Sequence, residues 1–157
     1  MILSSRGITE RLSELVYPAE PERINPASLD IRVGAWVIDE CGARIPIFNK
    51  PYTLLPGEFV LVETYERIKV PEDLAVELKL KSSIAREGYN HSLAFWFDPG
   101  WDGIGTMEVS NLNRARSLQL EYGMPFAQLI FHKLSSVPLE LYSGKYQGAN
   151  TVEDAKR

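Results

Sequence analysis

An all-β sandwich or barrel is the fold class predicted by this 157-residue chain. Three observations point to it. Apolar and polar residues alternate with a period of two over several short stretches, as in strands buried on one face. Pro or Gly punctuates the chain between those stretches. No sustained strand-helix alternation supports a parallel sheet. The length gives a real core but is too short for two, so a single domain over 1–157 is expected, with 142–157 as a C-terminal lid or tail.

The first element is the exception to the β pattern. Ser4 or Ser5 can cap a short helix in which Ile8, Leu12, Leu15 and Val16 recur at i, i+4, i+7 and i+8. Pro18 and Pro21 end it, and its apolar face suits one end of a barrel. Leu29, Ile31 and Val33 then alternate with Asp30 and Arg32, which read as an ordinary polar face. A loop at Cys41-Gly42 leads to Ile45–Phe48. The turn Leu55-Pro56-Gly57-Glu58 opens the strand Phe59–Glu63, and Glu66–Asp73 reads as a connection ended by Pro71.

In Ala75–Lys81, Val76, Leu78 and Leu80 lie on one face and Glu77, Lys79 and Lys81 on the other. A polar turn, Ser82-Ser83, and Arg86 follow. His91–Asp98 is an apolar, aromatic strand broken by Asp98-Pro99-Gly100, a tight turn because Pro sets φ and Gly tolerates φ > 0. Ile104–Ser110 is a strand with Ile104, Thr106, Glu108 and Ser110 on one face and Met107 and Val109 on the other. Leu118 and Leu120 alternate in a further strand. Tyr122-Gly123-Met124-Pro125 turns the chain into Phe126–Leu134, a buried strand that carries the amide of Gln128. From Tyr142 the chain is glycine-bearing and polar, and Val152–Arg157 reads as a mobile tail.

Composition excludes several functions. A formal net charge of -4 argues against a duplex-binding surface. The one cysteine, Cys41, rules out an intrachain disulfide framework and fits a reducing cytosol. Zinc-dependent nucleobase deaminases need an H-x-E and a P-C-x-x-C set, and this chain has neither. There is no stretch of about 20 apolar residues for a membrane span and no apolar run of a signal peptide. A cytoplasmic protein is expected.

Three places carry chemistry. The hydroxyls of Ser82 and Ser83, nearby backbone N–H groups and the Arg86 fork suit an anionic group such as a phosphate, or form only a polar turn. Asp98, at a strand end, points its carboxylate into a cleft or bonds its own turn. Glu108 is either desolvated, with a raised pKa that suits a general base or acid, or simply on the solvent face.

KSSIAR, then His91 through Asp98-Pro99-Gly100-Trp101-x-Gly103, then Thr106-Met107-Glu108-Val109-Ser110-Asn111 together resemble the dCTP deaminase branch of the dUTPase-like superfamily. Met1–Arg6 is similar to the family's opening, Asn25–Gly34 to a further segment and Gly144–Gly148 to its C-terminal lid, so the resemblance covers nearly the whole chain. It implies a distorted dUTPase-like β-barrel or jelly roll with a short N-terminal helix, assembled as a homotrimer with sites between subunits. It also implies conversion of dCTP to dUTP and ammonia by zinc-independent attack at cytosine C4, with Mg2+ bound through the substrate triphosphate and no metal ligand in the protein.

Carried onto this chain, Glu108 shuttles protons, and Asp98 contacts the deoxyribose 3′-hydroxyl and positions a water. Lys81, Ser82, Ser83 and Arg86 hold phosphates, Ala94 and its neighbours form the pocket that admits the base, and Thr106 and Met107 are further nucleotide-binding positions. Gln128, Tyr142 and Lys145 add nucleotide contacts, the last two from a segment that closes over the ligand. Asp98 and Gln128 fit the dUMP-forming members, which also release pyrophosphate. The alternatives are a dUTP diphosphatase that uses Asp98 and a non-catalytic nucleotide-binding regulator. Lys81 replaces the usual Arg, Leu93 the usual Thr and Ala149 the usual Gln, and the Arg86–His91 segment is one residue short.

Overall fold

The computed structural model describes residues 1–91, 94 and 96–156. Strand β3 (Ser28–Ile38) joins the two halves of the fold. Residues Leu29 to Arg32 pair with β12 (Pro125–Lys133), whereas Val33, Val37 and Ile38 pair with β6 (Phe59–Lys69). The change of partner falls where Val33 exchanges backbone bonds with the turn at Gly123 and Met124, at 2.9 and 3.0 Å. One strand thereby serves both halves, and the sheet curls.

The main sheet continues antiparallel on both sides of β3. Beyond β6 lie β10 (Asp102–Asn111) and β8 (Tyr89–Asn90); beyond β12 lie β7 (Leu74–Leu80) and β9 (Trp96–Phe97). Short strands complete it: β1 (Val16–Tyr17) on β6, with β2 (Ile24–Asn25) and β4 (Arg44–Pro46) on β3. A separate two-stranded sheet pairs β5 (Tyr52–Leu54) with β11 (Leu118–Leu120). The amide of the buried Asn111 ties it to β10 by donating to the carbonyls of Leu54 and Arg116.

Helix α1 (Ser5–Leu15) buries Ile8, Leu12 and Leu15 against this curled sheet. The core continues through Leu29, Ile31, Val62, Leu78, Phe126 and Phe131, all at most 2% exposed. The expected mainly β barrel with a short N-terminal helix is the architecture found.

Five local expectations are corrected. Arg32 is no polar-face residue: it is buried, stacks 4.0 Å from the Tyr65 ring and pairs with Glu66 at 2.6 Å and Glu20 at 2.8 Å. Asp30 takes a bond from Asn25 at 2.7 Å and pairs with Lys81. Glu66 begins no connection, because β6 runs on to Lys69. Ser82-Ser83 opens a short helix, α2 (Ser82–Glu87), which buries Ile84 and ends at Gly88 with φ 110°. Finally, residues 151–153 are bonded to the sheet: Val152 is 1% exposed and donates its N–H to Glu63 at 3.0 Å. Leu93, Phe95 and Arg157 lie outside the described residues, as does Ser92.

Candidate active site

The alternation of β10 dictates the inner wall of the site. Met107 and Val109 enter the core with no exposure, which turns Ile104, Thr106 and Glu108 to the opposite face. That face forms one wall of a cavity of about 450 Å³. A second wall comes from Ala94, Trp96, Phe97, Asp98 and Trp101, and the outer wall from Tyr142, Tyr146, Ala149 and residues 153–155.

The Asp98-Pro99-Gly100 turn forms as its sequence requires. Trp101 N–H closes it on Asp98 O at 3.1 Å, and Gly100 has φ +90°. A side chain at Gly100 would also meet Leu141 Cβ at 2.8 Å. Asp98 itself is exposed at the cavity rim, and its Oδ1 accepts the Trp96 indole N–H at 3.1 Å. Phe97, Trp101 and Tyr142 pack in sequence as tilted rings, with centroids 5.5 and 5.4 Å apart, and give the cavity an aromatic lining.

Glu108 is half-buried, its side chain 22% exposed, and its Oε2 has neither solvent nor a hydrogen-bond partner among the described residues. Burial pushes this carboxyl above the ordinary carboxylate value, opposed by the backbone N–H groups of Glu108 and Ala94. Behind it lies the buried imidazole of His91. Its Nδ1 sits 3.1 Å from Glu108 O and 3.9 Å from Glu108 Oε2. Burial holds His91 below its usual pKa, so it faces Glu108 as a neutral ring. A partly dry carboxylate that pairs with no cation among the described residues suits a proton acceptor.

The structure therefore brings Ala94, Asp98, Thr106, Glu108 and Tyr142 to one cavity. The remaining residues of the expected site lie elsewhere in the single chain. Met107 is in the core. Lys81 caps α2 and pairs with Asp30, while Ser82, Ser83 and Arg86 are exposed on α2. Gln128 sits on β12 and accepts the Ser28 hydroxyl at 2.9 Å. Lys145 is exposed and bonds to Lys156 O. Among the described residues no group of three or more His, Cys, Asp or Glu is placed to hold a metal ion.

Sequence reasoning assigned no role to Trp96, named Tyr146 only within the lid motif Gly144–Gly148, took residues 153–155 as mobile tail, and quoted His91 only as part of a motif. The aromatic density of 95–101 was the available signal for the second wall. Nothing local marks 153–155, whose place depends on a distant partner.

The dCTP deaminase-like family profile matches residues 41–134. This chain belongs to that family. The dCTP deaminase of Pyrococcus horikoshii is 38% identical over 144 residues, covering 91% of this chain and 90% of that one. The dUMP-forming dCTP deaminase of Aquifex aeolicus is 35% identical over 167 residues, covering 97% and 92%. In fold, the chain superposes on the crystal structure of 2'-deoxycytidine 5'-triphosphate deaminase from Agrobacterium tumefaciens with a TM-score of 0.71 and 18% identity. That match covers 84% of this chain and 48% of the other, so this chain spans about half the length of the Agrobacterium protein.

Proposed function

We propose that this chain hydrolyses dCTP to dUTP and ammonia, with Glu108 as the proton-transfer group. The observation that carries the reading is the partly desolvated Glu108 carboxylate, whose Oε2 has no hydrogen-bond partner among the described residues, in the wall of a cavity large enough for a nucleoside. Ionised Glu108 takes a proton from water, and the hydroxide adds to cytosine C4. The proton passes to the ring nitrogen; a further transfer to the amino group releases ammonia and restores the carbonyl. The aromatic run Phe97–Trp101–Tyr142 supports binding of the base or sugar, and Thr106 and Ala94 border it.

Lys81, Ser82, Ser83 and Arg86 do not line the cavity of their own chain. Their assignment to the triphosphate, carried as its Mg2+ complex, goes with a homotrimer in which a neighbouring copy presents α2 to the cavity. Gln128, Lys145 and the backbone at Met107 complete the nucleotide contacts in that assembly. A cytoplasmic place fits action on the free nucleotide pool.

Asp98 shares the cavity with Glu108, and the Aquifex relative is named dUMP-forming. We extend the proposal to a second cleavage in which Asp98 activates water against the α-phosphate, giving dUMP and pyrophosphate. Neither a diphosphatase alone nor a silent regulator is favoured, since both relatives described above are named deaminases.

The test is product analysis with dCTP and Mg2+. Ammonia with dUTP supports deamination alone; ammonia with dUMP and pyrophosphate supports both steps. Absence of ammonia with any nucleotide product refutes the deaminase reading.

A further inference from the structure

Glu63 is a second carboxylate close to the site, and its surroundings differ from those of Glu108. It lies on β6, is 7% exposed and has three hydrogen-bond donors on it. Ala35 N–H donates to Oε1 at 2.8 Å, while Thr151 Oγ1 and Val152 N–H donate to Oε2 at 2.7 and 3.0 Å. A Cβ at position 34 would fall 2.3 Å from Glu63 Cγ, so Gly34 is what lets this side chain lie against β3.

The consequence appears one residue further along. Once 151 and 152 are fixed, Glu153 N–H reaches Thr106 Oγ1 at 3.2 Å, and Glu153, Asp154 and Ala155 become part of the outer wall of the cavity. Arg44 holds Thr151 from the other side. The cavity keeps about 450 Å³ with this segment in place, so the segment encloses the space and does not fill it. Thr106 only accepts in this contact, and its own hydroxyl proton stays available.

We propose that Glu63 is a positioning residue for the nucleotide site: a buried carboxylate latch that pins Thr151 and Val152 and thereby sets residues 153–155 as the cavity's outer wall. It touches neither the base nor the phosphates. A carboxylate is required because donors converge on both oxygens; the amide of a Gln would set its own N–H groups against one side of that array. The inference rests on the dCTP reading for its effect on the substrate, and on geometry alone for the latch.

Two variants test it. Thr151→Val removes one donor at a partly exposed position and leaves β3 and β6 untouched. Glu63→Gln removes the double acceptor. Amide hydrogen exchange at Val152 and Glu153 reads the latch without any substrate, and both amides exchange faster in each variant. Steady-state kinetics reads its role: KM for dCTP rises about threefold in Thr151→Val and about tenfold in Glu63→Gln, with kcat within about twofold of the parent. Unchanged exchange in Thr151→Val overturns the latch even if Glu63→Gln fails to fold. Faster exchange with unchanged KM, or a fall in kcat alone, overturns the positioning role. If the parent chain releases no ammonia from dCTP, the functional reading fails separately, and the exchange result still decides the latch.

Discussion

The β3–β6 junction and the cavity wall on β10 each bury a glutamate, and the two are solved differently. At the junction, Glu66 is 1% exposed, and burial raises its pKa against the pull of Arg32. Both its oxygens are occupied, one by the Arg32 guanidinium and one by the Arg32 backbone N–H. On β10, Glu108 also has its pKa raised by burial, yet Oε2 has no hydrogen-bond partner among the described residues, and the His91 imidazole 3.9 Å from it is neutral. The same residue type, desolvated in the same sheet, serves structure where it is fully paired and chemistry where it is not.

Substitutions can break this comparison. The largest effect is expected from Glu108→Gln, which should lower ammonia release by about 10³-fold with Tm unchanged or higher. An unchanged kcat would remove Glu108 from the mechanism. Glu66→Ala should do the reverse. It removes one of the two carboxylates paired with a buried guanidinium and costs about 3–5 kcal/mol in urea unfolding, while the folded fraction keeps its turnover.

Titration sharpens the contrast. Because catalysis needs ionised Glu108, the acid limb of kcat/KM should lie above the ordinary value of 4.5. Stability has the opposite sign. The folded state holds the Glu108 proton more tightly than the unfolded state, so this contribution falls as pH rises from 4.5 through the folded pKa. The Tm advantage of Glu108→Gln over the parent should therefore grow from pH 4.5 upward, and a constant difference would contradict the desolvated placement. His91 runs the other way. Its folded pKa lies below 6.5, so its contribution is present above that value and is lost as pH falls through the folded pKa. The smallest effect is expected from His91→Gln, whose amide can donate to Glu108 Oε2. It should move the acid limb of kcat/KM down by less than about one pH unit.

Much of the inner wall was legible because its causes are local. Period-two alternation places Thr106 and Glu108 together on β10, and a Pro-Gly turn puts Asp98 at a rim. For α2, six residues are too few to show a helical period, and a turn was expected instead. Arg32 was misread because the partner that buries it, Glu66, lies 34 residues away on another strand. The tail was misread for the same reason: Val152 is anchored by Glu63 across a separation of 89 residues. Polar sequence near a terminus suggests mobility, and only the fold reveals that a buried acceptor awaits it.

The segment that closes the cavity also covers part of β10. Toward its start, β10 pairs with β6 along one side, and β8 reaches only Ser110 and Asn111 on the other. There Gly148 N–H bonds to Asp102 O at 3.0 Å, and Ile104 N–H bonds to Ala149 O at 2.8 Å. Without those bonds, an apolar strand would offer free backbone groups to any passing chain, the usual seed of edge-to-edge aggregation. The C-terminal segment thus acts as a guard of solubility as well as a wall. A chain truncated before Gly148 should precipitate at concentrations where the full chain stays dispersed.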